Sequence, residues 1–331
     1  MIFTAGVKRT SLLAAALMLS LAATTTANAA CSDPAALGVD WEGCELKSAY
    51  LIGENLTGAN LKNAKLSYVN LTGANLTSVN LTSAELGGAN LLDVDLTNAN
   101  LTSANLRAAN LSNADLTNAN LTNTQLGGAY LTQVNLSGAN LTGANLNRTT
   151  MQKSSLRDAE LRGANLRFAD LEGANLISAD MSYADMTSVN LIKANLHNAN
   201  LSNAYLSGAK MQYVGMGSAN LVRADMRDVN LNLASLSHSD MDSVNLTNSK
   251  LRGTNLTEVN LQNAILSGAD LSGANLSAAY LFGADLTGAN LTGVDLRGAD
   301  LATANLNGTN LGGALWVNGM QCAKVSIGGC K

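Results

Sequence analysis

Four cysteines, two histidines and a scatter of carboxylates and arginines are the side chains of this 331-residue sequence whose types could support chemistry. Cys31 and Cys44 lie near the start, Cys322 and Cys330 near the end. A zinc site would need thiolates and imidazoles at ligand spacing. No Cys-x-x-Cys pair occurs, and His197 and His238 are far in sequence from every cysteine, so no metal site is expected. Neither histidine has a Ser or Cys partner arranged for nucleophilic attack. Asp170, Asp180, Asp185, Asp225, Asp270, Asp285 and Asp300 could in principle supply a general acid and base. Arg157, Arg162 and Arg167 could face a phosphate backbone or an anionic lipid.

The elements that position these residues are set by an internal repeat. Between positions 46 and 311 every fifth residue is Leu or Met, 54 positions in one unbroken register. Two positions before each stands Ala, Val, Thr, Ser or Cys44, with Glu54 the sole misfit. Asn or Asp usually comes just before the Leu, as in Ala59-Asn60-Leu61.

A period of five excludes both continuous regular structures. On a helix five residues advance about 500°, a net ~140°, so the leucines would circle the axis. On an unbroken strand an odd period would alternate faces. The chain must therefore turn a corner at every repeat, with the Ala-x-Leu triplet extended and both apolar side chains inward. Gly53, Gly58, Gly73, Asn63 and Asn98 fall at the corner, where left-handed backbone is tolerated. Stacked coils would then pair their backbones about 4.8 Å apart. The single proline, Pro34, lies outside the array, as such a ladder requires. With 47% hydrophobic residues and 13% charged, the chain can fill a core despite its repetitive composition.

The run resembles the pentapeptide repeat family, whose pattern A-[DN]-L-x-x matches residues 44–315. The resemblance implies an all-β, right-handed quadrilateral parallel β-helix with four repeats per coil, about 13 to 14 coils here and roughly 65 Å long. On that frame His197 and His238 fall on the outer surface about two coils apart, and Arg157, Arg162 and Arg167 on three successive sides. The aspartates occupy the usual Asn position, so the repeat itself accounts for their spacing. Thr57, Thr77, Thr97 and Thr117 stack on one side, and Thr82, Thr102, Thr122 and Thr142 on the next, a geometry that could order water or ice. The seven tyrosines form no stripe of the kind a carbohydrate site would use. Seven core positions in the middle of the array are Met, a residue that adapts to irregular gaps.

Open ends of such a rod need covers. Trp41 and Trp316 stand in the Leu register one step beyond each end and are expected to serve as lids. Residues 1–30 read as a secretory signal, with Lys8 and Arg9, an apolar run, and Ala27-Asn28-Ala29 as cleavage motif. Four cysteines in an exported chain favour two local disulfides, Cys31–Cys44 and Cys322–Cys330. Lipidation of Cys31 is disfavoured, because Asn28 replaces the aliphatic residue of a lipoprotein signal and Cys44 would be stranded. The expected organisation is signal peptide 1–30, N-terminal cap 31–45, β-helix 46–315 and C-terminal cap 316–331.

No run after the signal is long and apolar enough to span a bilayer. The functional expectation is an exported, non-enzymatic rod in the periplasm or outside the cell, structural or protein-binding, without cofactor and with a protein partner in the envelope or beyond it. Cytosolic members of the family mimic DNA and bind type II topoisomerase. Here the signal segment and a net charge near about −6 after its removal argue against that and against any nucleic-acid partner. An ice or carbohydrate surface binder is the remaining alternative.

Overall fold

A computed structural model describes residues 29–331. The signal segment expected over residues 1–30 lies almost wholly outside the described residues.

After a short 3-10 helix, Ala29–Ser32, the chain winds into a four-sided, right-handed parallel β-helix. Each outward residue of the extended triplet pairs in parallel with the residue twenty positions on, from Asp40 with Asn60 through Asp295 with Leu315. Four five-residue sides therefore make one coil. The sides are named below by the first Leu-register residue each carries in the opening turns: Trp41, Leu46, Leu51 and Leu56.

One repeat shows how the sequence builds a corner. The Asn165 amide donates to Ala144 of the preceding coil at 2.9 Å, and the Leu166 amide to Asp185 of the following coil at 2.7 Å. The Phe168 amide reaches Thr187 at 3.1 Å, and Ala169 closes the turn onto Leu166 at 3.0 Å. The backbone is thus bonded in both directions along the axis, leaving each buried amide and carbonyl a partner.

The corner residue two positions after the Leu is left-handed throughout, as at Gly53 (φ 67°) and Asn63 (φ 57°). The same conformation is forced on Phe168 (φ 58°) and Leu233 (φ 61°), which ordinarily avoid it. Their amides are held by the next coil, and that bond together with the turn bond outweighs a steric cost of about 1–2 kcal/mol per residue.

Inside, leucines and methionines stack in four columns, with the Ala/Val positions between them, and nearly all are fully buried. Where Thr or Ser takes the small position, its hydroxyl bonds a backbone carbonyl: Thr124 to Leu101 at 2.8 Å, Ser249 to Met226 at 2.8 Å and Thr254 to Leu231 at 2.9 Å. Such bonds remove the penalty of burying the group. Glu54 lies in the first turns of the coil, where its side chain is exposed.

Candidate functional surfaces

The outward Asn or Asp of each repeat has a definite task. Its side-chain oxygen accepts the amide two residues on, as in Thr57 to Asn55 at 3.1 Å, fixing the corner as an Asx turn. All seven aspartates singled out in the sequence do this, for example Asp180 from Ser182 at 3.0 Å, Asp285 from Thr287 at 3.0 Å and Asp300 from Ala302 at 2.9 Å. The sequence pattern marked the position without revealing this bond. Asp-to-Asn contacts also run up the rod, as from Asn190 to Asp170 at 2.9 Å.

Several of these carboxyls are held below the ordinary Asp range. At Asp225 and Asp295 the guanidinium bonds of Arg227 and Arg297 lead, and they overcome partial burial. At Asp185 burial pushes upward most, but the hydroxyl and amide of Thr187 and the guanidinium of Arg167 reverse it. These are structural carboxylates, ionised and bonded, which is the opposite of a poised general acid.

The remaining candidates are spread out. His197 Nδ1 lies 3.2 Å from the Gly217 carbonyl, while His238 faces Glu258 at 3.4 Å. Among the described residues no group of His, Cys, Asp and Glu is arranged to hold a metal ion. The threonine columns are bonded into the corner network: Thr77 reaches Asn75 at 2.7 Å and Asp95 at 3.1 Å, and Thr82 reaches Asn80 at 2.7 Å.

The arginines gather aromatic partners. Arg148 and Arg167 both approach the ring of Phe168, at 5.4 and 5.7 Å, and Arg162 lies 5.5 Å from the ring of Tyr183. Arg167 also pairs with Asp185 at 3.2 Å. Phe168 and Tyr205, both about half exposed, share the Leu46 side with Arg148 and Arg167, while Arg162 and Tyr183 sit just around the corner. Sequence spacing put Arg157, Arg162 and Arg167 on three sides, and the structure agrees. What it missed is that Arg148, twenty residues before Phe168, joins the group from the neighbouring coil.

At the ends, Cys31 is bonded to Cys44 and Cys322 to Cys330, with Cα separations of 5.5 and 5.0 Å. Trp41 is 3% exposed, and its indole N–H donates to the Asp33 carbonyl at 3.3 Å. Trp316 stays half-buried. The ladder already includes Gly38, Trp41 and Gly43, bonded to Thr57, Asn60 and Lys62. Beyond Val317 the chain reverses and lays an antiparallel segment over Leu311 and Ala314.

The family model for pentapeptide repeats matches segments spanning residues 42–148, 154–277 and 279–315. The chain belongs to the pentapeptide repeat family. A search among curated proteins found no match. Similar solved structures include HetL, a pentapeptide repeat protein involved in heterocyst differentiation regulation in the cyanobacterium Nostoc sp. strain PCC 7120, at 36% identity over 67% of this chain and 91% of that one, TM-score 0.28. A pentapeptide repeat protein of the Arabidopsis thaliana thylakoid lumen is 36% identical over 31% of this chain and 71% of its own, TM-score 0.30. QnrB1, a plasmid-mediated fluoroquinolone resistance protein, is 16% identical over 56% and 90%, TM-score 0.27.

Proposed function

We propose that the protein is an exported, non-enzymatic rod that binds another protein through the arginine–aromatic patch on its Leu46 side. The observation that carries this reading is the cluster of Arg148, Arg167, Phe168 and Tyr205, exposed on a backbone bonded above and below. Arginine and aromatic side chains are the types most enriched where protein partners meet, because they offer large contact area with directional hydrogen bonds. A rigid ladder presents them at little ordering cost. The carboxylates nearby are already bonded to corner amides, which leaves them a positioning task rather than a catalytic one.

Export is supported by the two disulfides, which persist in oxidising compartments, and by the signal-like residues 1–30. Among the described residues no helix is long and apolar enough to cross a membrane. Mild crosslinking in cell-envelope extract tests the binding reading. Phe168→Ser and Arg167→Glu should abolish a crosslinked species that survives Thr117→Lys on the Leu56 side. A species insensitive to both patch changes, or no crosslinked species at all, would remove the reading.

A further inference from the structure

Each end of the rod is only partly covered, and the sides left open at one end are covered at the other. At the N-terminal end the segment tied down by Cys31–Cys44 covers the Trp41 and Leu46 sides, where Trp41, Cys44 and Leu46 are buried. The Leu51 side is left open there: Ala49 and Leu51 are only partly buried, Tyr50 is 77% exposed and Ile52 56%. At the C-terminal end the reversed segment covers the Leu51 side, with the Leu311 amide donating to Ser326 at 2.8 Å and Cys322 to Ala314 at 2.9 Å. It also reaches the start of the Leu56 side, where Gln321 pairs antiparallel with Leu315. The Trp41 and Leu46 sides stay open, with Leu301, Ala304 and Leu306 partly exposed.

The C-terminal cover is a paired strand and adds about one layer, roughly 4.8 Å, to the sides it lies on, while the N-terminal cover is the 3-10 helix Ala29–Ser32 and the loop after it. Covers on different sides of the two ends fit together as a lap joint when a second copy continues the same axis. The N-terminal cover of one copy falls on the open Trp41 and Leu46 sides of the other. The C-terminal cover of the latter falls on the open Leu51 side of the former.

Chemistry matches the shape. The C-terminal cover exposes Val325 (79%) and Ile327 over the side where the N-terminal end exposes Tyr50 and Ile52. Residues 31–55 hold five acids against Lys47. Glu42 and Glu45 are paired with Lys62 and Lys65 of the next coil, whereas Asp33, Asp40 and Glu54 have no such ion pair among the described residues. Residues 316–331 hold Lys324 and Lys331 and no acid. Among the described residues the amides of Leu301, Thr303, Leu306 and Gly308 also make no backbone bond of the kind their interior counterparts make, as Leu281 does to Asp300 at 2.8 Å. Exposed ladder groups of this sort favour pairing with another chain.

We propose that the rod associates head to tail with a second copy of itself, the cover at 321–327 of one copy seating on the Leu51 edge of the next. This concerns the ends and stands apart from the patch on the Leu46 side. Sedimentation of the protein, expressed from the full chain and purified with both disulfides intact, should show mass rising with concentration beyond a dimer. Lys47 and Lys324 lie roughly 60 Å apart within one rod, beyond a crosslinker reach of roughly 25 Å, so a Lys47–Lys324 crosslink reports two copies in this order. Ile52→Glu and Val325→Glu, both at exposed positions, should each weaken association at least about tenfold with an unchanged circular dichroism spectrum. A monomer at every concentration would overturn the proposal. So would Lys324–Lys324 crosslinks between isotopically distinct copies without Lys47–Lys324, which mark tail-to-tail pairing, or association unaffected by both variants.

Discussion

Leu166→Ala is the sharpest probe of how the rod is held together. Leu166 is fully buried in a column between Leu146 and Met186, and the substitution removes three carbons. At ~0.8 kcal/mol each, the lost transfer free energy is about 2.4 kcal/mol. The site cannot collapse, because the wall is bonded on both faces: Leu146 to Asn165 and Leu166 to Asp185, each at 2.7 Å. An uncollapsed cavity brings the total to about 3–5 kcal/mol. Leu306→Ala, at the partly exposed C-terminal edge, should cost only about 1–2 kcal/mol by the same reasoning. Urea denaturation followed by circular dichroism gives the first number, and native-state hydrogen exchange locates it. In a stack whose coils touch only their neighbours, protection should fall in the coils holding positions 146, 166 and 186 while the distant coils keep theirs. A loss below about 1 kcal/mol, or one spread evenly along the chain, would refute the picture of a column walled by rigid ladders.

Three further outcomes follow from the same geometry. Replacing Cys31 and Cys44 by Ser in a Trp316→Phe background should loosen the N-terminal cover by about 2–4 kcal/mol, shifting Trp41 fluorescence to the red while the far-ultraviolet spectrum holds. An unmoved emission maximum would show that packing alone retains it. Asn165→Pro removes the amide bonded to Ala144 and should cost about 3 kcal/mol or more, read as a lower urea midpoint; a neutral result would contradict the ladder. Asp185, Asp225, Asp270 and Asp295 are each more acidic folded than unfolded, so the unfolded chain takes up protons first as pH falls below the ordinary Asp value of 3.8. Their stabilisation is complete above that value and disappears as pH drops through their lower folded values, so the melting temperature should stay level down to about pH 4 and then decline. A melting temperature that rises on acidification would contradict the assignment.

Position within the repeat was legible because it follows from hard constraints. A five-residue period that fits neither helix nor strand leaves only a cornered coil, and Ala-x-Leu states which side chains go inward. That coils have four sides came from resemblance, and the twenty-residue pairing now shows it directly. The corner was read from Gly and Asn, yet Phe168 and Leu233 take the same backbone because the next coil's carbonyl fixes their amides, a bond between residues nineteen apart. The arginine–aromatic group was hidden for the same reason: Arg148 and Phe168 are neighbours only once a full coil has closed. Local pattern carries the wall, whereas its decoration depends on which residues the winding brings side by side.

One circuit of twenty residues lifts the chain by a single interstrand spacing, roughly 4.8 Å, and returns every side chain to its starting bearing. Duplicating or deleting such a block lengthens or shortens the rod without disturbing any face, whereas a change of five residues swings everything downstream through a quarter-turn. The molecule is therefore a graduated ruler. The separation between its ends and the compass direction of its Phe168 patch can be altered independently, the first by whole circuits and the second by single repeats.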